Sequence, residues 1–159
     1  MKEAAGANEL DVLVFEVGGQ RYGLPSSGVK ELARAVTVVR LPKAPPIVEG
    51  VIDVRGAVVP VLDIRGRFRL AAKPLEPTDH LVLAWAGTRL VALRVDRALD
   101  FVRLAADTVE DAKRVAPGVE YVAGVAKLPG GLVLIHDLRT FLSEAEAAAL
   151  GEALGGGSA

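Results

Sequence analysis

At 159 residues the chain is one ordinary domain or two very small ones. Its 51% hydrophobic content can build a real core, and a formal net charge of -1 gives no bulk attraction to nucleic acid or an anionic membrane. With no cysteine it excludes a disulfide framework, a thiol nucleophile and a thiolate metal site.

Met1-Lys2-Glu3-Ala4-Ala5-Gly6 lacks the basic-then-apolar order of a signal peptide. No apolar run reaches the roughly 18 residues that a spanning helix needs, so the expected location is the cytoplasm. The apolar content is mostly Val, Leu and Ile in short runs cut by Gly and Pro, which favours pleated, half-buried strands. Leu10 to Val17 alternates with Leu13, Phe15 and Val17 on one face. Gly18-Gly19 then turns the chain back through Arg21-Tyr22-Gly23-Leu24 as a hairpin. Ser26 or Ser27 is expected to cap a short helix with Val29, Leu32, Ala33 and Val36 on one side. Pro42, Pro45 and Pro46 interrupt regular structure, and Ile47–Val54 and Ala57–Ile64 read as strands around Arg55-Gly56.

The second half repeats the order. His80–Ala84 and Leu90–Val95 flank a turn at Gly87-Thr88. A segment Val95–Leu104 and a polar loop with Pro117-Gly118 follow, then strands Val122–Leu128 and Leu132–Leu138. Ser143-Glu144-Ala145-Glu146 is a capping-box start for a helix ending at Gly155-Gly156-Gly157, with Leu142, Leu150 and Leu154 placed to pack it on the body.

The halves share a sentence. Gly50-Val51, Gly56 and Asp63-Ile64-Arg65 return without a gap as Gly124-Val125, Gly130 and Asp137-Leu138-Arg139. Such self-similarity predicts two copies of one supersecondary unit. Short strands with Gly/Pro turns close most simply into small barrels, which removes exposed edges. The expected fold is all-β, with two small barrels of four to six short strands side by side, a single larger sandwich being the alternative, and a C-terminal helix over 143–154. The lobes are placed at about 10–70 and 79–142, with flexible ends at 1–9 and 155–159.

No catalytic constellation emerges. His136 and Asp137 are adjacent on a strand, point to opposite faces and cannot share a metal ion; packed or surface histidines account for His80 and His136. Asp63 and Asp137 recur symmetrically at strand ends, where Asp usually caps the next turn. A small hydrolase using either of them is the enzyme alternative. Arg65, Arg67 and Arg69 would share one face of a strand, a basic strip suited to nucleic acid on a small barrel. Arg55 sits at a tight turn between two apolar strands, where a charge calls for a partner, and Glu31 is the candidate.

The set Gln20-Arg21-Tyr22-Gly23-Leu24-Pro25, Val29-Lys30-Glu31-Leu32, Leu41-Pro42, Gly50 to Gly56, and Val58 to Arg65 resembles the CheW family of chemotaxis coupling proteins. Tyr121 to Leu128 and Leu132 to Leu138 extend the resemblance over about residues 10 to 142. It implies two five-stranded SH3-like β-barrels, no enzymatic activity and no cofactor or metal. It also implies a stand-alone adaptor that joins a chemotaxis histidine kinase, through its regulatory domain, to the cytoplasmic tip of chemoreceptors, and so meets the membrane only through them. The implied partner-binding residues are Val29, Leu32, Val95 and Leu99 in a groove, with Glu31 and Arg55 as paired charges. Two positions depart from the pattern. Asp53 stands where the family usually has Asn and could compete with Glu31 for Arg55, and Pro129 occupies the place of Arg55 in the second copy.

Overall fold

The computed structural model describes residues 9–34, 36–111 and 122–155. In chain order the strands are β1 (Glu9–Val17), β2 (Gln20–Pro25), β3 (Val29–Arg34), β4 (Val48–Val54) and β5 (Ala57–Leu62). The second half supplies β6 (His80–Ala86), β7 (Arg89–Val95), β8 (Arg97–Ala105), β9 (Val109–Asp111), β10 (Val122–Leu128) and β11 (Gly131–His136). One helix, α1 (Glu144–Ala153), follows. The strands form two sheets, β8-β1-β2-β11-β10-β9 and β3-β6-β7-β5-β4.

The lobes do not follow the halves of the sequence. Each sheet takes its leading hairpin from one half and its other strands from the other half, so boundaries at 10–70 and 79–142 cut across both sheets. The cause lies in the connections. The chain leaves β2 through a 3-10 turn at Ser26–Gly28 and enters β3 in the other sheet, where β3 pairs with β6. It crosses back between β7 and β8, where β8 pairs with β1.

Both sheets close on themselves. The segment after β3 returns at Val39 to bridge Val51 of β4, with N–H···O distances of 2.9 and 2.7 Å. In the other sheet β8 runs through a 3-10 turn at Ala106–Thr108 into β9, which pairs with β10 at the opposite edge. This closing segment counts as a sixth strand in one sheet and as a bridge in the other, so among the described residues the sheets have six and five strands where five each were expected. The repeated glycines make room for closure. A Cβ on Gly50 would lie 2.4 Å from the Val39 carbonyl oxygen, and one on Gly124 would lie 2.7 Å from a Val109 methyl.

Alternation along the hairpins explains why these strands are apolar on both faces. Leu13, Phe15, Val17, Tyr22 and Leu24 face Val82, Ala84, Val91, Leu93 and Val95 across a core shared by the two lobes. The opposite faces fill the barrels: Val12, Val14, Val133 and Ile135 in one, and Leu81, Leu83, Val59, Val61 and Ala92 in the other.

The helix expected over Val29 to Val36 is a single 3-10 turn followed by a strand. The i, i+3, i+4 spacing there is real, but pairing with β6 satisfies the backbone along this edge and decides the conformation. At the C-terminus the capping box forms as expected. Ser143 Oγ accepts from Glu146 N–H at 3.0 Å, and Glu146 Oε1 accepts from Ser143 N–H at 2.9 Å. Leu150 is fully buried in the shared core, and Arg67 ties the helix down through the Phe141 carbonyl and Glu146. The loop with Pro117-Gly118 and most of the expected flexible ends lie outside the described residues.

Candidate partner-binding site

Arg55 occupies a two-residue turn between β4 and β5 with φ 49°, followed by Gly56 at 89°. Two left-handed residues make the type I′ turn that matches strand twist. Asp53 secures it by accepting Gly56 N–H at 2.7 Å. The carboxylate that stood as a competitor for Arg55 is therefore committed to the turn, and the guanidinium ion-pairs with Glu31 of β3. The pair joins two strands of one barrel at its mouth and remains open to solvent, with 69% of the Arg55 side chain exposed. The hydrogen bond from Arg55 holds the Glu31 carboxyl below its usual range, and the same bond raises the Arg55 pKa.

The other expected contact residues separate into three environments. Leu32 is exposed on the edge strand β3, beside Lys30 and Arg34. Val29 and Leu99 are half-buried, Val29 against the shared core and Leu99 against the β1-β8 barrel. Val95 does not belong to a groove: it is 1% exposed within the shared core, because its strand face packs against the opposite hairpin.

Comparison of the two copies also identifies a residue that the sequence reading missed. Val29 and Glu31 face Ala84 and Leu83, as Ala98 and Asp100 face Phe15 and Val14, with a bulge at the same place in each ladder. Leu32 therefore corresponds to Phe101, and both are exposed, at 41% and 53%. The signal was present in the repeat, but only the pairing register makes it readable. The same register makes Asp100 the counterpart of Glu31. Pro129 in place of Arg55 supplies no cation from that turn, and Asp100 accepts the Phe101 N–H.

Several other sequence candidates are committed to internal structure. Arg65, Arg67 and Arg69 lie in turns rather than on a strand, so they form no basic strip. Arg65 is buried and bonds Asp96 at 2.8 and 2.9 Å, while Arg67 holds α1. Asp63 and Asp137 each accept the N–H of the arginine two residues on, at 3.2 and 3.0 Å, which is the turn-capping role. His136 is 1% exposed and stacks with Phe68 at 4.6 Å between centroids, with Tyr22 and Phe141 close by. His80 Nδ1 accepts the Ala98 N–H at 2.8 Å, joining β6 of one sheet to β8 of the other. None of these groups is arranged as a nucleophile and its base.

Sequence reasoning also missed Arg94. It is 5% exposed and is held by Glu49 at 2.7 Å, Asp63 at 3.3 Å, Asp79 at 3.4 Å and the Lys73 carbonyl at 2.8 Å. Burial opposes its charge, but the carboxylates outweigh that and raise its pKa. By strand alternation Arg94 continues the Leu90, Ala92 face, so it closes the barrel at the end remote from the turn that carries Arg55.

No described helix is long and apolar enough to cross a membrane. The family model for the CheW-like domain matches residues 11–146. Chemotaxis protein CheW of Rhizobium meliloti is 30% identical over 144 residues, covering 87% of this chain and 92% of its own. Chemotaxis protein CheW of Klebsiella aerogenes is 27% identical over 140 residues, covering 87% and 84%. Protein FrzA of Myxococcus xanthus is 29% identical over 129 residues, covering 80% and 81%. The crystal structure of the scaffolding protein TtCheW from Thermoanaerobacter tengcongensis superposes with a TM-score of 0.77 at 22% identity, covering 86% of this chain and 90% of that one, and so shares the fold. With two closed lobes, a shared core and a family match over nearly the whole body, the chain belongs to the CheW-like family of chemotaxis adaptor proteins.

Proposed function

We propose that this protein is a non-enzymatic cytoplasmic adaptor joining the regulatory domain of a chemotaxis histidine kinase to the cytoplasmic tip of a chemoreceptor. The observation that carries the reading is the Arg55–Glu31 pair, exposed at the barrel mouth on the turn between β4 and β5. Its backbone is set in a left-handed conformation that non-glycine residues rarely adopt. Leu32, Val29 and Leu99 supply apolar contact for a receptor helix, and Phe101 joins them by its equivalence to Leu32.

Such an adaptor transmits a signal through binding free energy. A receptor state that binds the adaptor–kinase pair differently shifts the kinase equilibrium by that difference. Each contact can be weak, because assembly of many copies multiplies the effect.

Two measurements test this. Gel filtration of the protein with a kinase regulatory domain and a receptor-tip fragment should give co-elution with each. Arg55→Ala should bind the receptor fragment at least tenfold more weakly with an unchanged circular dichroism spectrum. A folded variant with unaltered affinity would remove Arg55 from the site, and failure to bind either component would defeat the adaptor reading.

A further inference from the structure

The duplication gives every place in the molecule an internal counterpart. Gly18 and Gly87 open their hairpin turns with similar left-handed φ values, 61° and 68°. The parallel pairs Ile135–Gly23 and Val61–Ala92 carry one register down the strands, and the turn-capping Asp63 and Asp137 fix it at the strand ends. On this register Asp96 corresponds to Ser27, Phe15 to Ala84, Glu49 to Ala123 and Arg65 to Arg139.

The two crossovers between lobes then differ in one respect. Between β7 and β8 the space is filled. Asp96 takes two bonds from Arg65 and one from Gly18 N–H at 2.8 Å. Between β2 and β3 the counterparts are cut back to Ser27, Ala84 and Ala123, and a cleft of about 410 Å³ opens where the filled crossover has side chains. Pro25, Trp85 and Ala123 give it an apolar side, Ser27, Gly87, Asp137 and Arg139 line it with polar groups, and Leu24, Ala84 and His136, each at most 2% exposed, lie beneath. The cationic element is retained. Arg139 lines the cleft, and Asp137 engages its Nε and one Nη, leaving Nη1 for a ligand. The volume lies in the range of small-molecule sites, and apolar walls with a few converging polar groups are their usual form. None of the residues assigned above to the receptor contact lines it.

We infer that this cleft binds a small carboxylic acid bearing one ring-sized apolar group, its carboxylate supplying the charge that the crossover between β2 and β3 lacks. The carboxylate takes the place of the Asp96 carboxylate, accepting from Gly87 N–H and the Arg139 guanidinium. The apolar group rests against Trp85, beside Pro25 and Ala123.

Trp85 is the chain's single tryptophan, so its fluorescence reports on this cleft directly. Titration of the intact protein with phenylacetate should change the emission saturably. Phenylacetamide, the same shape without the charge, should bind at least tenfold more weakly, as should phenylacetate to Arg139→Gln. Ser27→Asp supplies the missing carboxylate from the chain itself and should likewise weaken phenylacetate at least tenfold with an unchanged circular dichroism spectrum. No saturable change with phenylacetate, equal binding of acid and amide, or undiminished binding to folded Ser27→Asp would each overturn the proposal.

Discussion

The β4-β5 and β10-β11 hairpins are copies of one element, and their turns show how a duplicated scaffold acquires a site. Both begin from a closing glycine and both end on an aspartate that caps the next turn. At the turn itself, Arg55-Gly56 takes two positive φ values, whereas proline's fixed φ near -65° forbids that at Pro129, and the positive φ moves to Gly131 at 123°. One turn therefore presents a guanidinium to Glu31, while the other presents none to Asp100. In these two turns the glycines and capping aspartates repeat, and the cation open to a partner does not.

The same contrast ranks the expected effects of substitution. The largest is at Arg94, whose counterpart is Pro25. Arg94→Met leaves Asp79, 1% exposed, and two further carboxylates without their cation, and should cost about 3–5 kcal/mol in urea unfolding. A cost near zero would mean that the cluster is not a structural element of that lobe.

Next come the closing glycines. Gly50→Ala meets a backbone carbonyl at 2.4 Å, whereas Gly124→Ala meets a side-chain methyl at 2.7 Å that can move. The first should cost roughly 1–3 kcal/mol and the second less, as read from denaturation midpoints. The reverse order would contradict the closure geometry.

Acid sensitivity separates the crossovers more gently. Burial works against the Asp96 charge, but Arg65 and the Gly18 N–H outweigh it and lower its pKa, so its folded value lies below its unfolded one. Its contribution is then complete above the unfolded value and is lost as pH falls through the folded one, below about pH 4. Asp96→Asn should flatten that part of the stability profile, while Ser27→Ala, at the counterpart, should leave it unaltered. Least affected should be Arg139→Met. The side chain is 78% exposed and pairs only within its own turn, so the thermal midpoint should not move measurably, unlike that of Arg65→Met.

Much of this was legible in the residues. Hairpin glycines, the aliphatic runs flanking Arg55, the capping box at Ser143 and the Arg55–Glu31 pair each depend on local chemistry or on a charge needing a partner. What escaped depends on which copy meets which. A repeat predicts two like units but cannot say that β1-β2 joins β8 while β6-β7 joins β3. Val29 to Val36 carries helical spacing because β3 is an edge strand whose bulge shifts its alternation. Arg65 and Arg67 resembled a basic strip until Asp96 and Glu146, from distant parts of the chain, were brought to them. Arg94 lay hidden between Leu93 and Val95, since its three carboxylates come from 15 to 45 residues away.

The central claim is that receptor binding depends on Arg55, the turn cation that the second copy lacks. Its most direct test is parallel calorimetric titration of a receptor-tip helical hairpin into wild type, Arg55→Ala and Arg139→Ala. The account predicts at least a tenfold loss of affinity for Arg55→Ala and none for Arg139→Ala. Equal affinities for all three proteins, or equal losses in both variants, would contradict it.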